Sequence, residues 1–105
     1  MIFRFWRGWT RPEDADEYAQ LLAGTIIPDI FSRNINGLLG VKMLRRDADE
    51  VAGEVEFATI LQFDKLASVK NFMGEDYIQA HIPAAAQKLF TRWDSTCAHY
   101  EMFEA

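Results

Sequence analysis

Two histidines, three tryptophans and a handful of polar side chains set among aromatics are the residues of this sequence that could do chemistry. His81 is the sharpest candidate. An imidazole can serve as a base near neutral pH or, as a neutral ring, ligate a metal. A half-exposed histidine near the helix break at Pro83 is the simpler reading of the same residue. Trp6, Trp9, Tyr77 and Trp93 could line a cavity for a flat aromatic or otherwise hydrophobic ligand. Large apolar rings at such spacings also suit a plain core. His99 shares a strand face with Cys97, Glu101 and Phe103, and a hydrogen bond to a strand neighbour or across a dimer is its expected role. Cys97 has no activating base near it in the chain and reads as a small core residue.

Other chemistries are disfavoured by what the sequence lacks. Glu54 and Glu56 alternate onto one face, but nothing suggests the sugar cleft that a glycosidase pair would need. Asp47, Asp49 and Glu50 lack the glycine and ligand spacing of a calcium loop. There is no phosphate loop, dinucleotide glycine pattern or Cys/His metal cluster, so no metal or bound cofactor is expected. The net charge of -5, with Arg45-Arg46 as the only adjacent basic pair, disfavours nucleic acid and anionic membrane as partners. Met1 to Trp9 is interrupted by Arg4 and Arg7 and does not read as a signal peptide, and no run approaches the ~20 apolar residues of a membrane helix. The single cysteine cannot pair within the chain, and the expected setting is the reducing cytoplasm. Half of the 105 residues are apolar and 13% are aromatic, which fits one folded domain over residues 1–105.

Strands and helices in a definite order must position these groups. Ile2 to Trp9 reads as a strand with Phe3, Phe5, Arg7 and Trp9 on one face and Arg4 and Trp6 on the other, large on both sides as in a central strand. Thr10 reads as an N-cap in a capping box with Glu13, with Pro12 in the first helical turn. Tyr18, Leu21, Leu22, Thr25 and Ile26 then recur at amphipathic-helix spacing. Pro28, with Gly24 one turn earlier, predicts a kink before the helix frays after Phe31. Leu38 to Arg46 is a second strand, Asp47 to Gly53 a polar hairpin loop, and Glu54 to Phe63 a third strand. The third strand has a clean apolar face of Val55, Phe57, Thr59, Leu61 and Phe63. Asp64 is read as the cap of a second helix to about Met73. Glu75 to His81 adds a further turn or two, Pro83 opens a last helical piece to about Trp93, and Thr96 to Glu104 closes as a fourth strand.

This order predicts an α+β, ferredoxin-like β-α-β-β-α-β fold, a four-stranded antiparallel sheet with its helices on one face. Apolar residues on the other face predict a two-fold homodimer. The clean face of the third strand must build the monomer core and so look toward the helices. On the first strand only one set, Trp6 or Arg7 with Trp9, can do the same.

With the elements placed, the chain resembles the antibiotic-biosynthesis-monooxygenase family of dimeric α+β barrels. The residues that carry the resemblance are Trp6 to Thr10 (WRGWT), Gly37 to Gly40 (GLLG), Glu56-Phe57 with Phe63-Asp64, Phe72 to Tyr77 (FMGEDY) and His99 to Glu101 (HYE). The family includes cofactor-free oxygenases of aromatic polyketides, haem-degrading enzymes and small proteins of no known activity. The first group implies a cofactor-independent monooxygenase of a small aromatic substrate. His81, Arg7 and Tyr77 would then carry the chemistry, with Arg7 as the positive charge beside a substrate oxyanion. Trp6, Trp9, Phe57, Phe72 and Trp93 would hold the substrate. The second group implies haem held by His81. The third implies a non-catalytic dimer that binds a small hydrophobic ligand or serves as a stress or regulatory module. In the first and third cases a pocket of about 300 Å³ or more is expected between the sheet and the second helical region.

Overall fold

Alternating large side chains from Ile2 onward make β1 (Ile2–Thr10), the strand against which three of the other four strands pair. The computed structural model describes residues 1–47 and 53–104. After β1 come α1 (Pro12–Leu21), a π-helical turn (Leu22–Ile26) and α2 (Ile27–Ser32). Strands β2 (Leu38–Arg46) and β3 (Val55–Phe63) follow, then α3 (Leu66–Met73), a short α4 (Ala84–Gln87), β4 (Phe90–Trp93) and β5 (Ala98–Glu101). The sheet is antiparallel in the order β2-β3-β1, and β4 and β5 share the remaining edge of β1. Strand β4 pairs with Gly8–Thr10 and β5 with Ile2–Phe5. The result is the α+β order β-α-β-β-α-β, with the fourth strand broken into two collinear pieces.

That break corrects the sequence reading of the last third of the chain. The helix expected from Pro83 to Trp93 ends at Gln87, and Phe90–Trp93 is strand instead. Aromatic and β-branched residues favour extended backbone there, and the open edge of β1 supplies hydrogen-bond partners. Residues 75–81 are not helical: 75–78 form a turn, and Gln79 bridges to Thr96. The closing strand covers Ala98–Glu101, shorter than the Thr96 to Glu104 expected. Thr10 does not cap α1. It is the buried last residue of β1, its hydroxyl donates to the Arg11 carbonyl, and Arg11 takes the cap position without a side-chain bond. Lys65, not Asp64, holds the cap position of α3, and Asp64 accepts a hydrogen bond from Ser68. The predicted hairpin loop lies outside the described residues over 48–52.

Pro28 has no amide hydrogen, and the helix responds one turn upstream. Where the sequence predicts a kink, residues 22–26 widen into a π-helical turn closed by the Ile27 N–H bonding to the Leu22 carbonyl. Gly37 turns the chain into β2 with φ +85°, and a side chain on it would land on Ser68 Oγ and Asp64 Oδ1.

Directly opposed residues of an antiparallel pair share a face. Arg4 is opposite Leu61, Trp6 opposite Thr59 and Gly8 opposite Phe57, so Arg4 and Trp6 lie on the face of Val55, Phe57 and Phe63. That face carries the helices. Tyr18 of α1 meets Phe57 edge-on at 4.8 Å and Phe90 at 4.5 Å, while Val69 and Phe72 of α3 pack on Phe63. The opposite face has Phe3, Phe5, Ile60, Leu44 and Tyr100 and no helix over it among the described residues. No described helix is long and apolar enough to cross a membrane.

Candidate functional site

A cavity of about 740 Å³ lies between the sheet and the helices. Its floor is the helix-facing side of the two central strands, Arg4 and Trp6 from β1 and Thr59 and Leu61 from β3. One wall comes from the π-helical turn and α2 through Leu22, Ile26 and Ile30. The other comes from Phe72 and Met73 of α3 and the stretch from Ala80 to Ala86. Thr25, Asp29, Arg33, His81 and Pro83 are exposed at its mouth. The walls are mainly aliphatic and aromatic, and π-helical turns recur at functional sites. Here the turn sets its own residues into the wall.

Arg4 is the exceptional floor residue. Only 5% of it is exposed, yet its guanidinium donates to three neutral acceptors. Nη1 bonds the Tyr77 carbonyl and lies 3.0 Å from His99 Nε2, and Nη2 bonds the Gln79 carbonyl at 3.2 Å. No carboxylate forms an ion pair with it among the described residues. Burial lowers its pKa. Because a guanidinium only donates, His99 Nε2 must be the acceptor, which places the ring proton on Nδ1 and keeps the imidazole neutral. Burial and then the Arg4 charge both lower the His99 pKa, consistent with that tautomer. Burial raises the Cys97 thiol against the opposing pull of Arg4, so the sulfur stays protonated.

Tyr18 and Thr59 complete the floor on the α1 side. Burial raises the Tyr18 phenol well above its ordinary pKa, and nearby Thr59 works against that rise. Even so, Thr59 Oγ1 is enclosed without a partner of good hydrogen-bond geometry. Trp6 is anchored by its Nε1, which donates to the Asp94 carbonyl at 2.6 Å, and its ring meets Phe90 edge-on at 5.4 Å.

Of the residues read from the sequence as a site, the structure brings Trp6, Phe72 and His81 to this cavity. Arg7 and Trp9 lie on the opposite face of the sheet. Arg7 pairs with Asp94 at 2.9 Å, and that bond raises its pKa. With Phe5, Tyr100 and residues 94–98 it borders a separate recess of about 420 Å³. Trp9 is buried beneath Arg92, 3.8 Å above its ring, with Arg7 at 5.1 Å, and its Nε1 has no partner. Tyr77 contributes its carbonyl to Arg4, while its ring stands edge-on to His99 at 5.1 Å and lies outside the cavity wall. Phe57 is core beneath Tyr18, and Trp93 is partly exposed against Phe90. Sequence reasoning passed over Arg4 and Thr59. The available signal was one arginine on each face of β1, with no means of telling which is buried.

Among the described residues, no three of His, Cys, Asp and Glu converge as a metal-binding group. Comparison with family models, curated proteins and solved structures finds no match to this chain. The functional reading therefore rests on the cavity and its side chains.

Proposed function

We propose that this chain binds a small, flat aromatic or hydrophobic molecule between its sheet and helices, and oxygenates it without a bound cofactor. The observation that carries the binding half is the cavity. At about 740 Å³ it falls within the ~300–1,000 Å³ usual for small-molecule sites, with a few polar groups in a largely apolar lining. Trp6, Phe72 and Phe90 offer ring faces and edges to a planar guest. The oxygenase half follows from the resemblance to the antibiotic-biosynthesis-monooxygenase family.

The chemistry balances with the substrate as its own reductant. A methylene beside a phenolic ring system loses a proton to a base, and the carbanion passes electrons to O2 as a C–O bond forms. Loss of water then turns CH2 and O2 into C=O and H2O. His81, at the mouth, is the imidazole available to take the proton. An oxygen electrode with anthrone tests this reading. One O2 should be consumed per substrate, and His81→Ala should slow the reaction by about a hundredfold or more. Binding of planar aromatics without oxygen uptake would refute the catalytic half and leave a ligand-binding module. Failure of any planar aromatic to quench tryptophan fluorescence would refute both halves.

The proposal includes a homodimer formed through the uncovered sheet face, where Tyr100 is 57% exposed and Leu44 51%. Sedimentation at micromolar concentration should report about twice the 12.1 kDa chain mass. A monomer at that concentration would overturn it.

A further inference from the structure

We infer that Arg4 is an anion-recognition point, so that the cavity selects a flat apolar molecule carrying one ionised oxygen, a carboxylate or phenolate. The inference rests on the reading that the cavity takes a small molecule, and it adds the charge and orientation of that molecule.

A charge withdrawn from water is costly unless paired, and buried guanidinium groups ordinarily face a carboxylate. Arg4 faces two carbonyls and an imidazole. Three of its five N–H donors are used in this way, and two are left without a protein acceptor. The residue lines the cavity floor, so a ligand can supply the missing negative charge there.

Every other ionisable group around the cavity leaves that charge unopposed. His99 is neutral because its Nε2 accepts from Arg4. Cys97 and Tyr18 hold their protons, since burial raises both. Asp29 and Arg33, both on the helical side of the mouth, pair with each other at 2.7 Å and cancel. His81 is exposed at the rim. The interior therefore carries one uncompensated positive charge inside a protein whose net charge is -5. A preference for anions would thus run against the overall field and must come from the site itself.

The geometry also orients the guest. The Tyr77 and Gln79 carbonyls hold the guanidinium plane from the side of the 77–80 segment. Trp6, two residues along the same face of β1, flanks it. Phe72, packed on Phe63 opposite Ile2, lies on the other side of Arg4 from Trp6, so an anionic oxygen on Arg4 would sit between these two rings.

The experiment uses a matched pair, 2-naphthoate and 2-naphthamide, titrated into the intact protein at pH 7.5 with tryptophan fluorescence and calorimetry as readouts. The wild type should bind the carboxylate at least about tenfold more tightly, the ratio one charge-assisted hydrogen bond provides. Arg4→Gln should erase that ratio, the carboxylate losing more affinity than the amide. Arg4→Lys, which keeps the charge and loses the fork, should retain part of it. Circular dichroism verifies that each variant is folded, and equal wild-type affinities would refute the inference even if neither variant folds. Equal wild-type affinities for the two compounds would overturn the inference and leave the cavity reading standing. Binding of neither would sink the cavity reading and this inference with it. A carboxylate preference that persists in a folded Arg4→Gln protein would locate the anion elsewhere and also overturn it.

Discussion

Gly8→Ala is the substitution whose consequence the geometry defines most closely. A Cβ at Gly8 would sit 2.6 Å from Phe90 Cε1, 2.8 Å from Phe90 Cζ and 2.9 Å from Trp6 Cη2. Non-bonded carbons rest about 3.5–4.0 Å apart, so both rings would have to withdraw by about 1 Å. Neither is free to do so. Phe90 is backed by Tyr18 at 4.5 Å, and Trp6 is pinned by its bond to the Asp94 carbonyl. Overpacking of this kind costs about 1–3 kcal/mol. Stiffening the unfolded chain returns about 0.4–1 kcal/mol. The net loss, about 1.3 kcal/mol at the midpoints of those ranges, corresponds to a Tm lower by about 5–10 °C in a domain of this size. Gly24→Ala is the control, because nothing lies within 4 Å of its Cβ, and its Tm should hold or rise. Adding Phe90→Leu to Gly8→Ala removes the offending ring edge, and a double-mutant cycle should show favourable coupling of about 0.5–3 kcal/mol. The assay is thermal melting by calorimetry, with tryptophan fluorescence reporting on Trp6. A Gly8→Ala protein as stable as the wild type with an unchanged Trp6 signal would refute this account of the contact.

Phe63 is fully buried against Val69 and Phe72, and Phe63→Ala should cost about 3–5 kcal/mol, read from the denaturant midpoint. Arg7→Gln removes a partly exposed ion pair on the face away from the cavity. It should cost less than about 1 kcal/mol and leave ligand affinity in the cavity unaltered, and loss of binding would show that the two faces of β1 act together. His99 supplies a pH dependence. Its folded pKa lies below the ordinary 6.5, so between those two values the unfolded chain binds more protons, and stability is lost as pH falls through that window. His99→Gln keeps an acceptor for Arg4 and should flatten the stability profile there, whereas the depressed carboxylates of Glu54 and Asp64 act only at lower pH. An unflattened profile would mean that another group titrates in the window.

Much of the framework was legible because it depends on local periodicity. The period-two alternation of Val55 to Phe63 marks a strand with one buried face, and that face does meet the helices. Tyr18 and Leu22 fall on the buried stripe of the first helical run for the matching reason at period 3.6. Pro28 announced a disturbance in that run, although not that it would be relieved as a π-helical turn upstream. Residues 84–93 were misread because Pro83 and three alanines are good helix-opening chemistry, while the competing pull on Phe90–Trp93 comes from an unfilled strand edge some eighty residues earlier. No local window contains that edge.

The candidate site divides along the same line. Alternation alone determines that Arg4 and Trp6 share one side of β1 and Arg7 and Trp9 the other. Which side becomes the floor of a cavity is decided only when β3 pairs in a register that sets Arg4 opposite Leu61. The helices then close over that face, so Arg4 is desolvated and stands among neutral acceptors, while Arg7 keeps water and Asp94. Two arginines three residues apart are chemically identical in the chain, and only burial, a property of the assembled fold, makes one of them an unpaired charge.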